Sequence, residues 1–419
     1  MVPARIVGRA FFPLDEELGL LGGGLTPRGE ETLVRLATWM PFEQAREMLQ
    51  ELVGVQESLA TARRATLQAG AAGLAVWEEE EARLKQELPP APDGADKQAM
   101  SGDGAFVPLV GGEWVEVKTL TIGEVTRTKR GEICTQQLST FSRLADAERF
   151  TQASLVETHR RGLERAAEVC AVQDGAQWRP RLVDYHRADA VRILDFAHAA
   201  EYINEIGQAV QAARGRLPTS WLQGVLHRLK HHGPQRVLKH LAWLVARYPS
   251  PTIQEKLAYL QKRQAHMQSP TYQAAGWPIG SGSVESENLV VVEARLKGAG
   301  MRWRPENVNP MLVLRNAVCN RRWNETWQVR TKQQQQTRRK LRAERTQARG
   351  EQATARFLQL LLSCMPPTAR PPVEAAPRPG KQPTAAPRAL APASRRPAAN
   401  HPWKRPLVAR SKEALLAKK

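Results

Sequence analysis

Cysteine is scarce in this 419-residue chain, and its four copies, Cys134, Cys170, Cys319 and Cys364, are scattered without a CxxC pair. That excludes a zinc ribbon and a disulfide scaffold, and it suits a reducing compartment. Long apolar runs are missing too. No stretch approaches the roughly 18 residues that a membrane-spanning helix needs, and the N-terminus lacks the apolar core of a signal peptide. These absences predict a soluble, cytoplasmic chain with no membrane partner. Acidic residues are nearly missing from one region. From Arg330 to Lys419 there are 21 Lys or Arg against 4 Asp or Glu, a net +17 out of the chain's +19. Such a tail attracts polyanions by counterion release without reading sequence, or it is a solvated terminus with no dedicated partner.

The length leaves room for two or three domains. Residues 1–95 read as a helical N-terminal domain. Thr26 is placed to cap a helix with Pro27 at its first position and Glu30 and Glu31 in its first turn. A second helix runs from about Phe42 to Val53, Gly54 breaks it, and a third begins near Glu57. This order fits a helix-turn-helix, with Arg63 and Arg64 available to DNA, and equally an ordinary helical hairpin. The prolines from Pro89 to Pro92 mark a boundary.

Three strands are predicted next, at Ala105–Val110, Glu113–Lys118 and Glu132–Gln136. A helix over Ala147–Ala167, a strand at Val169–Val172, another helix and a strand at Ala190–Leu194 follow. Three strands and then alternating helix and strand predict an α/β fold over residues 96–330. The expected core is ribonuclease-H-like, a mixed sheet with helices on both faces. The all-helical pattern over about 196–275 reads as an insertion before a helix starting near Ser283. Within it, His227 and His231 sit four apart, facing a metal together or lying on a basic helix beside DNA. A basic helical segment follows at 331–365. The Pro/Ala/Arg-rich residues 366–419 are expected to be disordered.

Four acidic positions carry the candidate chemistry. Glu285 lies in the opening turn of a helix, after the glycine turn Gly280-Ser-Gly282. On a 100° wheel it aligns with Leu289, Val292 and Leu296, which predicts an inward carboxylate needing a cation or strong donors. A Glu there also suits the helix dipole. Asp103 is set between Gly102 and Gly104 at the start of the first predicted strand, where small flanks admit a phosphate and a metal, or where the three form a turn. Asp174 ends a predicted strand, the end at which open α/β sheets hold ligands, or it caps the next helix. Asp195 ends the following strand and competes with Asp174 for the same role; with His198 one turn on, it either orients that histidine or serves as a fourth acidic ligand. Arg295, Lys297, Arg302, Trp303 and Arg304 suit a phosphate backbone and an unstacked base, and Trp303 equally suits a core. Three carboxylates around one small site can hold two divalent ions about 3.5–4 Å apart. All-oxygen ligands point to Mg2+ or Mn2+.

These blocks resemble the bacterial DDE insertion-sequence transposases, specifically the ISKra-type group, Mutator-like in layout. The resemblance runs in the family's order through FFPLDEELGL at residues 11–20, Ser101–Gly104, Gln173–Ala176, Arg192–Ala199, the turn before Glu285, and Leu314-Arg315 ahead of Trp323 and Trp327. It implies that Asp103, Asp174 and Glu285 are catalytic and bind two Mg2+ or Mn2+ ions, with Asp195 and His198 in support. It also implies the helical insertion, in which this chain has Ala197 where the family usually has an aromatic residue. Family members often carry cysteine pairs ahead of the first block. Met1–Ala10 contain none, so the resemblance leads one to expect a truncated copy or a start further upstream. The implied activity is cleavage of DNA at element ends and joining of the freed 3′-hydroxyl to target DNA. The implied partners are terminal inverted repeats, target DNA and a second copy of the chain. The rival expectations are a non-catalytic DNA-binding or regulatory remnant, and a nuclease that cleaves without joining.

Overall fold

The computed structural model describes residues 25–176 and 178–364. The block at residues 11–20 and the tail expected to be disordered lie outside them. Residues up to Thr346 form one compact unit and those from Gln347 a second; the elements below belong to the first, except that the last helix runs on past Thr346. No helix among the described residues is long and apolar enough to cross a membrane.

The N-terminal helices start and stop where their sequence signals stand. Thr26 Oγ1 accepts the Gly29 amide at 3.0 Å and opens α1, Pro27–Trp39. The second, α2, spans Phe42–Val53 and ends on Gly54 at φ 72°, a left-handed cap. Ser58 caps α3, Leu59–Glu87, through the Thr61 amide. Its apolar residues Ala65 and Ala69 pack with Val34 against Leu314, Ala317 and Trp323.

Five strands make one mixed sheet in the order β3-β2-β1-β4-β5. Their ranges are β1 Lys97–Pro108, β2 Trp114–Arg127, β3 Ile133–Arg143, β4 Glu168–Gln173 and β5 Val191–Leu194. The first three are antiparallel neighbours, while β4 runs parallel to both β1 and β5. Strand β1 begins well before its predicted start. Gln98 to Ser101 are buried on both faces at the centre of the sheet, so they show no alternation for a sequence reader to find. The helix expected over Ala147–Ala167 is broken into α4, Ala147–Ala153, and α5, Leu155–Arg160. At the break, Ser154 Oγ bonds the Thr151 carbonyl at 2.8 Å and meets His186 of α6, Arg179–Arg187.

Helices cover both faces. Met100, Leu120, Ile122 and Phe141 meet Phe150 and Leu182 on one side, and Ala99, Val172 and Ile193 meet Tyr272 and Trp277 on the other. The C-terminal part of the β3 edge, from Thr140 on, is covered by α14, Pro305–Cys319. Asn309 and Asn316 of this helix, with Asn320 at its C-cap, each accept a backbone N–H and donate to a carbonyl of Leu144, Ser142 and Thr140 respectively. These amides pair with the strand as another strand would and remove an exposed edge there.

The residues following β5 are helical and hold a core of their own. They comprise α7 Phe196–Ala212, α8 Trp221–His232, α9 Pro234–Arg247, α10 Pro251–Lys262 and α11 Ser269–Ala274, packed around Ile203, Ile206, Leu229, Leu241 and Leu260. The chain then returns through α12, Gly282–Glu287, a π-helical turn at Asn288–Glu293, and α13, Ala294–Leu296. A π turn moves each amide bond to the fifth carbonyl and strands some acceptors. Arg315, fully buried, supplies the missing donors to Val290 O and to Val291 O (3.1 Å), and it also donates to Thr38 O at 3.0 Å. The last described helix, α15, is Trp323–Cys364.

Candidate active site at the parting of two parallel strands

The register of the parallel strands lines up three carboxylates. Ser101 pairs with Val172, so Asp103 and Asp174 each lie two positions further on; Gln173 pairs with Leu194, so Asp174 and Asp195 each lie one position beyond that pair. Asp103 is therefore inside β1, where β4 leaves it, and not at the strand's start as predicted. Nor do its glycines make a turn. A Cβ at Gly104 would stand 2.3 Å from Glu116 Oε1, and one at Gly102 would stand 3.1 Å from the Trp178 ring. Small residues are needed there for close packing around the carboxylate.

One guanidinium joins two of the acids. Arg179 Nη2 donates to Asp103 Oδ1 at 3.0 Å, and its Nη1 pairs with Asp174. The Arg179 side chain is 4% exposed, against 24% for Asp103 and 35% for Asp174. Burial pushes the guanidinium below its usual value, while Asp103 and then Glu116 hold it up. The other Asp103 oxygen accepts Asn288 Nδ2 at 2.6 Å. Asn288 is buried, and its own Oδ1 has no hydrogen-bond partner.

Glu285 departs from expectation. It and Leu289 are exposed, and the buried line is Val284, Asn288, Val291, Val292, Arg295 and Leu296. The line passes beside Glu285, so Asn288, three residues on, is the group that faces Asp103. Glu285 Oε1 instead accepts Ser281 Oγ at 2.9 Å, and the Ser281 amide donates to Asp195 Oδ1 at 3.0 Å. Glu287 accepts Thr140 Oγ1 at 2.9 Å.

Asp195 is buried and caps α7, accepting the Ala197 and His198 amides at 3.4 and 3.2 Å. It holds the backbone of His198 and not its ring. The ring lies 3.5 Å from Glu201 and against Tyr202 and Tyr259, and burial lowers its pKa despite the two acids.

The insertion reaches the site by a route absent from the sequence reading. Tyr259 Oη donates to the Asp174 carbonyl at 2.6 Å, and Arg263 Nη2 donates to the Gly175 carbonyl at 3.2 Å. Gly175 has φ 91°, and any Cβ there would collide with the Tyr259 hydroxyl. Helix α10 thus fixes the turn that presents Asp174.

The expected DNA-binding residues divide. Arg63, Arg64, Lys297, Arg302 and Arg304 are exposed. Arg295 and Trp303 are core residues, which corrects their expected contact with DNA. Arg295 donates to Ala37 O at 2.9 Å between the Phe42 and Trp303 rings, and burial and Arg315 push it down to about 10. Trp303 bridges to Leu109 beside β1 and donates its indole N–H to Leu296 O at 3.0 Å. Extended backbone there turns Trp303 inward and its two arginine neighbours outward. His227 and His231 lie with ring centroids 4.5 Å apart, tilted by 41°, on an exposed face.

Among the described residues, no group of three or more His, Cys, Asp or Glu is close enough to hold a metal ion. A groove of about 760 Å³, lined by Thr135, Trp277, Gly280, Gly282, Ser283 and Ser286, runs beside Glu285. Set against known proteins, the chain matches no family model and no curated sequence.

Proposed function

We propose that the chain is a DNA transposase with a ribonuclease-H-like core, using Asp103, Asp174 and Glu285. The observation that carries this reading is the pairing of Asp103 and Asp174 on one guanidinium, with Asn288 of the Glu285 segment on the same Asp103. The mixed sheet order and the strand parting are compatible with it. The donors suit Mg2+ or Mn2+ in kind: two carboxylates already share one cation, and an unpartnered amide oxygen lies beside them. Two such ions, held by the three acids, would supply activation of water or a 3′-hydroxyl and charge at the leaving oxygen.

The chain's own residues prepare that site. Arg179 balances Asp103 and Asp174, Asn288 orients Asp103, Tyr259 and Arg263 fix the Asp174 turn, and Ser281 restrains Glu285. The partners are terminal inverted repeats, target DNA and a second copy of the chain. The test is to incubate the full chain with labelled duplexes bearing the element's terminal repeats, in Mg2+, Mn2+ or EDTA. Cleavage is expected only with metal and is lost in Asp103→Asn; failure of the wild type to cut in either metal sinks the reading. One observation favours the non-catalytic remnant instead, namely the exposed Glu285 bonded to Ser281. Specific binding of the ends without cleavage is that reading's signature.

A further inference from the structure

Between Glu205 and Glu255 there is no acidic residue, while seven Lys or Arg and four His occur. The block is folded: its apolar residues Val225, Leu229, Val237, Leu238 and Leu241 form the insertion's core. Five of its cations, Arg228, Lys230, Arg236, Lys239 and Arg247, therefore face outward from α8 and α9, and exposed Arg214 and Arg216 precede them. On α9, Arg236, Lys239, Trp243 and Arg247 are exposed at positions i, i+3, i+7 and i+11, one face of a helix. None of the seven cations has an acidic partner among the described residues; Arg228 donates only to the Gly224 carbonyl, at 3.1 Å.

Trp243 stands in the middle of that face and is 62% exposed. It is held from below: the His240 ring lies nearly parallel at 6.4 Å, and His240 Nε2 accepts the Trp221 indole N–H at 2.9 Å. Burial and then Arg228 lower the His240 pKa, which keeps that nitrogen an acceptor. An aromatic plane fixed in advance among unpaired cations has the two parts of a single-strand site, a phosphate track and a stacking platform.

We propose that α8 and α9 form a second DNA-binding surface, which tracks phosphates of one strand and stacks an unpaired base on Trp243. The nature of the polymer follows from the proposed function, but binding is scored in EDTA, so a failure to cleave leaves the result readable. The full chain is photocrosslinked to a single-stranded oligonucleotide carrying 5-iodouracil, and the adduct is mapped. The expected adduct is on Trp243. Trp243→Ala should weaken single-strand binding roughly 5- to 150-fold, and Trp243→Phe should retain most of it. Arg236→Ala with Lys239→Ala should reduce the log–log salt slope by about 1.4. Trp114, equally exposed but set between Glu113 and Glu116, serves as control, and Trp114→Ala should bind as wild type. Adducts confined to residues outside the insertion, or Trp243→Ala binding within about twofold of wild type with unchanged circular dichroism, overturn the proposal.

Discussion

The strand side and the helix side of the candidate site are built differently. Asp103 and Asp174 have their charge met by a buried guanidinium, whereas exposed Glu285 has only the Ser281 hydroxyl. Behind Glu285 the order reverses. The π turn is gripped by Arg315 and followed by buried Arg295, both bonded to carbonyls of the last turn of α1. One side is fixed at its carboxylates, and the other is fixed at its backbone. A carboxylate whose partners are fixed is preorganised, and one on a fixed backbone with a loose side chain can still adjust to a ligand.

The largest effect that would sharpen this comparison is on cleavage. Asp174→Ala should fall to background, whereas Asp195→Ala should retain turnover reduced by about 10–100-fold, since the Asp195 oxygens are committed to backbone amides. Robust cutting by Asp174→Ala would move the site one strand along. Next, Arg315→Met removes the donor to two carbonyls of the π turn and one of α1 and should cost about 3 kcal/mol in urea unfolding; a loss under about 1 kcal/mol would show that the π turn holds itself.

Acid should soften the strand side. Burial pushes His186, on the helix that carries Arg179, down to about 4. The unfolded chain takes that proton first, so the contribution is complete above pH 6.5 and is lost as pH falls toward 4, by roughly 3 kcal/mol. His186→Gln should flatten the stability profile in that window, and an unaltered slope would assign it to other groups. The smallest effect is a contrast in EDTA. Arg179→Ala should lose about 1 kcal/mol, regained on adding Mn2+, while Glu285→Gln should stay within about 0.5 kcal/mol of wild type. Equal losses would erase the difference between the two sides.

Local signals were legible in the sequence. Thr26 and Gly54 mark their helix ends because caps are set by neighbouring backbone, and the strand and helix order is written in local periodicity. Asp174 was readable as a strand-end residue, whereas Asp103 was placed at a strand's start because burial on both faces hid the first residues of β1. Arg179 was missed because its two partnerships depend on the β1–β4 register, which has no local trace. Glu285 was turned the wrong way by assuming 100° per residue through a π turn whose support, Arg315, lies far along the chain. Arg295 read as a DNA contact for the same reason: an arginine looks solvent-seeking until the carbonyl that buries it is known.

The two buried arginines reach back 258 and 277 positions to α1. At synthesis rates of about 5–20 residues per second, Arg315 is made roughly 14–55 s after the end of α1 that it meets. Until then the backbone beneath Glu285 has no anchor, and the three acids belong to separate pieces of chain. The molecule thus carries its own timer: a nascent or prematurely ended polypeptide that stops short of Arg315 holds the acids without the anchor that assembles the candidate site.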